Sequence, residues 1–434
     1  MPQTAIPSGD FNDRWSWTEP TIWTERMLTA LEQGVKRGIW YSMMDKVCRL
    51  TTLERAFARV KSRKGSAGID RQTLEMYERH LDSNLNRLLR QLQDGSYRPK
   101  AVKRTWIDKS GKREKRPLGI PTVVDRIVQT ALLMVIEPIY EKEFSDVSFG
   151  FRPGRGCKDA LRKVQQYLNE GYTWVLDADL KGYFDSIDQE ILLSEIQRKV
   201  IDGKILRLIG HFLSQEVMDG INSWIPERGT PQGAVISPLL ANIFLNPLDH
   251  LIETTGFRIV RYADDFVILC KNESEAQQAL GIVEEWVTSV NLTLHPEKTC
   301  IVNALECGGF DFLGYHFEQG YRFPSKKSLD KFRDNIRINT KRANGHSLPH
   351  IIKLINPVLR GWFEYFKHSY HTIFKMLDGW IRMRLRSILR KRSGRRGRGR
   401  GLDHFRWRNS YFAEHGLFSL VAARQAACQS VYIR

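Results

Sequence analysis

The sequence predicts an α+β protein that ends in a basic, wholly helical region. Three observations predict it. Between about residue 100 and residue 320, short apolar runs of strand length alternate irregularly with helical stretches. From residue 326 onward, apolar residues recur only at steps of three and four, the helical period. The same stretch, 326–434, holds 25 Lys and Arg against six Asp and Glu, whereas the residues before it hold 42 against 43.

The elements follow in chain order. Residues 1–49 form a polar lead carrying Trp15, Trp17, Trp23 and Trp40, with no role legible in the sequence. Residues 51–94 look helical, with Leu81, Leu85, Leu88, Leu89 and Leu92 at helical spacing. Residues 102–107 and 116–120 read as a basic β-hairpin, with the turn Lys109-Ser110-Gly111-Lys112 at its tip. Residues 125–140 suit a buried helix, 174–180 a short strand, and 259–270 two strands about a tight turn. Helices are expected over 189–203 and 238–253. Leu348, Ile351, Ile355, Val358, Trp362 and Phe366 make one amphipathic stripe; Phe374, Leu377, Ile381, Leu385 and Leu389 make another. Residues 394–401, GRRGRGRG, read as a flexible linker.

Composition narrows the function. At 434 residues and 42% hydrophobic, the chain can bury two or three domains and is no disordered protein. No apolar run approaches the ~20 residues of a membrane span. The first ten residues lack a basic-then-apolar leader pattern, so a cytoplasmic protein without membrane attachment is expected. The six cysteines form no Cys-x-x-Cys pair and have no close His pair beside them, which argues for free thiols rather than a zinc site. The excess charge of 326–434 sits on a helical segment, and a focused positive field of that kind fits a polyanion, most commonly nucleic acid.

Two acidic segments fit phosphoryl transfer, which uses divalent metals held by hard carboxylate oxygens at strand ends or turns. The first is Arg261-Tyr262-Ala263-Asp264-Asp265-Phe266, with Ile259 and Val260 before it and Val267, Ile268 and Leu269 after it. A random Asp-Asp pair is usually a surface turn. Here the apolar strands on both sides make an unpartnered pair costly, which favours a metal site. The second segment runs from Val175 to Asp185. Its strand period puts Asp177 and Asp179 on one face, and either is a candidate ligand. Asp185 and Asp188 read as caps of the following helix.

At these residues the chain resembles reverse transcriptases of the group II intron maturase family. Tyr262-Ala263-Asp264-Asp265 resembles their YxDD box, and Asp179 followed five residues later by Phe184 resembles their first palm motif. That spacing selects Asp179 over Asp177 and implies that Phe184 is a steric gate against a ribose 2′-hydroxyl. Arg116-Pro117-Leu118-Gly119-Ile120-Pro121 with Asp125-Arg126 resembles the fingers motif, in which Lys109 and Arg116 would hold the incoming triphosphate. Ser148 to Gly156, SFGFRPGRG, is similar to a hallmark of the class. Gly229-Thr230-Pro231-Gln232-Gly233 resembles the box whose Gln232 and Gly233 would line the nucleotide and template pocket. His295-Pro296-Glu297-Lys298-Thr299 resembles the later palm motif, whose Lys298 would protonate the leaving pyrophosphate. Phe312-Leu313-Gly314-Tyr315 resembles the primer-grip region. The likeness continues through Gly361-Trp362-Phe363 and Leu377-Asp378 to residue 420, so about 51–420 is covered, and six boxes in order are far more specific than any one.

The resemblance implies a right-hand polymerase with an α-helical thumb and maturase domain and a basic C-terminal tail. Its parts would be a lead (1–50), fingers (51–140), a palm (141–320), a thumb (321–393) and a tail (394–434) that is a candidate DNA contact. Asp179, Asp264 and Asp265 would hold two Mg²⁺. The implied partners are group II intron RNA, an RNA template with a DNA primer, target DNA and deoxynucleoside triphosphates. Arg382, Arg386 and Arg390, four residues apart, share one helical face and are expected to grip RNA phosphates. Many members of the family end in an HNH nuclease with Cys pairs; this sequence has no such pairs, so cleavage of a second DNA strand is not expected. A retron or defence reverse transcriptase and a splicing-only maturase are the alternatives. The first lacks its Val-Thr-Gly box after Tyr315, and the intact Asp179, Asp264 and Asp265 weigh against the second.

Overall fold

The structure, a computed structural model, describes residues 14–35, 38–108 and 115–432. These form two compact units, one of residues up to 172 with 176–301, the other of 173–175 with 302 onward. The turn expected at Lys109 to Lys112 lies outside the described residues.

The first unit is built on two four-stranded sheets. In one, β1 (Val102–Asp108) and β2 (Lys115–Ile120) form the expected antiparallel hairpin, from Lys103 opposite Ile120 to Asp108 opposite Lys115. The other contains β3 (Trp174–Asp179). Two strands of only three residues, β4 (Val217–Asp219) and β5 (Asn222–Trp224), extend the first sheet in the order β2-β1-β4-β5. They are too short for an alternation to reveal them in the sequence. β6 (Arg258–Tyr262) and β7 (Asp265–Cys270) pair about the two residues Ala263 and Asp264, so the acidic pair sits at a turn, as expected. With β8 (Cys300–Asn303), the second sheet runs β6-β7-β3-β8.

Helices cover these sheets. The helix Val123–Glu143 is buried along nearly its whole length, and Thr122 caps it by accepting from the Asp125 N–H. The stretch 51–94 is three helices, Leu50–Ser62, Leu74–Glu78 and Leu81–Asp94, rather than one. The tryptophan lead acquires a role: Trp23 is buried, donates its indole N–H to the Met134 carbonyl at 3.1 Å, and packs on Trp40. The backbone N–H groups of Met43 and Met44 both donate to Asp202 at 2.8 Å, which pins the end of the lead to the start of the helix Gly203–Leu213.

The second unit combines a three-stranded sheet, β9 (Phe310–Phe312), β10 (Tyr315–Glu318) and β11 (Tyr321–Pro324), with the helices Lys326–Asn339, Leu348–Phe366 and Thr372–Arg392. Both apolar stripes read from the sequence are helical, and their inward residues form one core with Phe332, Ile336, Trp407, Phe412 and Leu420. The Gly/Arg run is not a free linker. Gly399 lies against the helix Thr372–Arg392 and donates its N–H to Ser387 at 2.9 Å; a Cβ there would stand 2.5 Å from that of Arg386.

Candidate active site

The β6–β7 turn carries the two adjacent acids, and its geometry is imposed from three sides. Ala263 has a φ of 60°, a conformation that costs an L residue energy and persists only where the surroundings enforce it. Arg261 enforces it. Its guanidinium is fully buried; it donates to Asp249 at 2.7 Å, to Asn242 Oδ1 at 2.9 Å and to the Ala263 carbonyl at 2.9 Å. Both Asn242 and Asp249 lie on the helix Ser237–Thr254. Asn242 also donates to the Gly150 carbonyl at 2.8 Å. Gly150 meets the turn so closely that a Cβ on it would lie 2.2 Å from the Ala263 nitrogen. The SFGFRPGRG segment therefore supports the acidic turn. Its Arg152 is an internal staple, buried and ion-paired with Glu141 at 2.7 Å.

Asp179 ends β3, Asp265 opens β7 and Asp264 lies in the turn. Burial, with the charges of Asp264 and Asp179 added, pushes the Asp265 carboxyl up from its ordinary range to about 7. Burial also raises Asp264; Asp179 adds to this, while Arg116 and Arg261 act against it. Asp179, on which both acids depend, is thus brought into their group, whereas the Asp177 charge is felt at Cys300. Lys298 places its ammonium against the Asp179 carboxylate, and the segment bearing it is fastened by the His295 N–H donating to the Asp179 carbonyl at 2.7 Å. The donor set is one of hard oxygens with excess negative charge, which suits a divalent cation. Among the described residues, no group of three or more His, Cys, Asp and Glu side chains is placed to hold a metal ion; Lys298 pairs with Asp179, and Arg116 and Arg261 add positive charge at Asp264.

Beside the carboxylates, Arg116 on β2 donates to Gln232 Oε1 at 3.1 Å, and Gln232 donates to Asp185 at 3.1 Å. Gly233 is where β2 and the GTPQG segment touch: its φ is 104°, and a Cβ would lie 2.4 Å from the Gly119 carbonyl oxygen. Phe184 is 9% exposed; its carbonyl accepts from the Thr230 N–H at 2.7 Å. Arg116, Gln232, Gly233 and Phe184 are thus gathered around the GTPQG segment, with Arg116 near enough to act on Asp264, while Lys109 lies outside the described residues. Asp188 caps its helix as expected, but Asp185 does not: it faces the cleft beside Gln232.

The three thumb arginines do not form an open basic face. Arg386 is 2% exposed and donates to the Trp407 carbonyl at 2.9 Å and to Asn409 at 2.8 Å. Arg390 pairs with buried Asp403 at 2.6 Å, and Arg382 lies 3.6 Å from Asp378. Helical spacing correctly put them on one face. That face is covered by the chain after residue 399, which spacing within the helix cannot reveal. The residues that sequence reasoning missed are Arg261, Asn242 and Asp249; an Arg inside an apolar strand was the available signal, since such a residue must find a buried partner.

Residues 107–317 match the family described as reverse transcriptase (RNA-dependent DNA polymerase), and residues 329–407 match the group II intron, maturase-specific domain. Protein YkfC of Escherichia coli (strain K12) is 31% identical over 345 residues, covering 69% of this chain and 85% of YkfC. The group II intron-encoded protein LtrA of Lactococcus lactis subsp. cremoris is 38% identical over 199 residues, covering 45% of this chain and 33% of LtrA. The chain thus spans about a third of LtrA's length. A chain of the solved Cas6-RT-Cas1–Cas2 complex aligns over 57% of this chain and 42% of its own length, with 29% identity and a TM-score of 0.38. The expected fold class rests on the family match: the order of a polymerase domain and then a maturase domain is the order in which the boxes and the helical region lie along this sequence. The chain belongs to the reverse transcriptase and maturase family of group II introns, with the right-hand polymerase fold of that family.

Proposed function

We propose that the chain adds deoxynucleotides to a primer 3′-hydroxyl under the direction of an RNA template, and that its maturase region binds its own intron RNA to assist splicing and insertion into target DNA. Family membership implies dependence on a divalent metal and a nucleic-acid substrate. The carrying observation is that Asp264 and Asp265, at the β6–β7 turn, and Asp179, at the end of β3 in the same sheet, lie close enough for the charge of Asp179 to raise the carboxyls of both others. Carboxylates gathered at strand ends in this way are the hard donors a divalent cation takes, and such clusters mark reaction centres.

Asp179, Asp264 and Asp265 would hold two Mg²⁺. When bound, these supply charge neutralisation for the attacking and leaving oxygens. The chain's own residues do the rest. Arg116, with Lys109, grips the triphosphate through its planar fork. Gln232 and the backbone at Gly233 line the nucleotide, and the Phe184 ring edge excludes a 2′-hydroxyl. As the 3′-oxygen attacks the α-phosphorus and pyrophosphate leaves, Lys298 Nζ supplies it a proton. Fingers (51–140), palm (141–320) and thumb (321–393) divide these tasks, and the tail (394–434) is the candidate DNA contact.

Primer extension on an RNA template tests this reading. Asp264→Asn abolishes DNA synthesis and leaves RNA affinity in a filter-binding assay near that of the parent. Robust extension by the variant would overturn the assignment.

A further inference from the structure

One feature of the first unit is not needed to explain the chemistry. Arg104 and Trp106 alternate on one face of β1. Val102 pairs with Val217 on β4, and Val217 pairs with Trp224 on β5, which carries the indole of Trp224 to the same face. Arg104 thereby lies between two indoles, its guanidinium carbon 4.8 Å from the Trp106 ring centroid and 5.0 Å from that of Trp224. Cations at such distances over a ring are attracted by its quadrupole. Trp106 is fixed further, donating its indole N–H to Asp219 at 3.1 Å.

Both rings are open: Trp106 is 45% exposed and Trp224 is 38% exposed. Each ring is held in place by the sheet and by Arg104, yet leaves a wide part of its surface in water. It borders a cleft of about 380 Å³ that Arg104, Trp224, Arg228 and Thr230 line and that ends at Gln232 and Asp185. Thr230 is 2% exposed, and its Oγ1 has no hydrogen-bond partner among the described residues.

We propose that Trp106, Arg104 and Trp224 form a stacking platform for unpaired bases of the template strand, ahead of the position where a nucleotide is added. Open aromatic faces with interleaved cations bind single strands without reading sequence, because every base has a π face. A templating strand varies, so its holder must be tolerant in this way. Paired bases are already stacked on each other and leave no face for Trp106 or Trp224, which favours single-stranded template over duplex. Arg104 and Arg228 add charge for the backbone phosphates of the same strand. The inference rests on the polymerase reading, yet it concerns binding and is measured without catalysis.

The test is equilibrium binding, by fluorescence anisotropy, of RNA template–DNA primer duplexes whose template overhang is zero, two or five nucleotides. In the parent, affinity rises with overhang length. In Trp106→Ala/Trp224→Ala the gain from the overhang falls roughly tenfold. The ring-retaining Trp106→Phe/Trp224→Phe keeps most of the gain, which separates stacking from a folding defect. An overhang of abasic nucleotides, with phosphates but no bases, gives the parent little more affinity than no overhang. An undiminished gain in the alanine variant, or a full gain from the abasic overhang, overturns the platform. Primer extension run alongside separates the two readings. If the parent extends primers but the alanine variant keeps its overhang gain, the platform fails and the polymerase stands. If the overhang gain is lost in the variant but the parent extends nothing, the platform stands and the polymerase reading fails.

Discussion

Asp249→Asn removes the charge opposite Arg261 while keeping the side chain's size. Both partners are fully buried, and Arg261 has no route to water. Burying a charge and then deleting its counter-ion costs about 3–5 kcal/mol, because the remaining ion keeps its desolvation penalty and loses the attraction that offset it. For a unit of this size each kcal/mol shifts the melting temperature by roughly 1.5–2 °C, so thermal unfolding is expected to fall by about 5–10 °C. A double variant, Arg261→Met with Asp249→Leu, removes both ions and fills the space with apolar atoms, so most of the loss is recovered. Activity does not return with it. The double variant still lacks the Arg261 donor to the Ala263 carbonyl, the bond that holds the acidic turn in its strained conformation. The assay pairs calorimetric melting with primer extension on one preparation of each protein. Asp249→Asn melting within a degree of the parent would show that the Arg261 charge does not depend on Asp249. A restabilised double variant that extends primers at the parental rate would show that this network does not position Asp264.

Four further outcomes are expected. Burial, with the charge of Glu141 added, pushes Glu137 from 4.5 to about 7, against the pull of Arg59 and Arg63. A folded-state pKa raised above the unfolded one gives stability that is full below pH 4.5 and is lost as pH rises through 7, so Glu137→Gln should flatten that decline and, at pH 8, be more stable than the parent by up to about 3 kcal/mol; parallel stability curves from pH 5 to 8 would refute it. Arg386→Ala leaves the Trp407 carbonyl without its donor and removes packing over Phe412, so a loss of about 2–3 kcal/mol by chemical denaturation is expected. Its salt slope for RNA binding should match the parent's, whereas changing the exposed Arg395, Arg396 and Arg398 together should lower that slope by about three if each meets a phosphate. Phe184→Ala should admit ribonucleotides in single-nucleotide incorporation, and unchanged discrimination would return Phe184 to the status of a core aromatic.

Much of the polymerase was legible in the chain because its signals are local. Apolar runs on both sides of Asp264 and Asp265 set two strands and a turn, and steps of three and four set the helices of the second unit. The spacing from Asp179 to Phe184 and the order of the boxes pointed to the family, since spacing within a motif survives whatever packs around it. Non-local facts were not legible. The partner of Arg261 lies on a helix a dozen residues earlier, and the reason for Gly150 is a backbone more than a hundred residues later. β4 and β5 are three residues each and exist because β1 offers an open edge, so Trp224 acquires a place only once the sheet is assembled.

The arginines of the helix Thr372–Arg392 mark the boundary between the two kinds of knowledge. The sequence by itself determined that Arg382, Arg386 and Arg390 share a face, because helical periodicity is a property of the backbone. Only the tertiary structure decided what that face meets. Charge has no direction along a chain, and the same spacing serves an RNA backbone or a buried carbonyl; here residues 396–407 fold back and take Arg386 and Arg390 as internal donors. The acidic turn divides in the same way: the residues of the turn were visible at once, while the buried cation that holds it in place emerged only when strand, helix and loop were brought together.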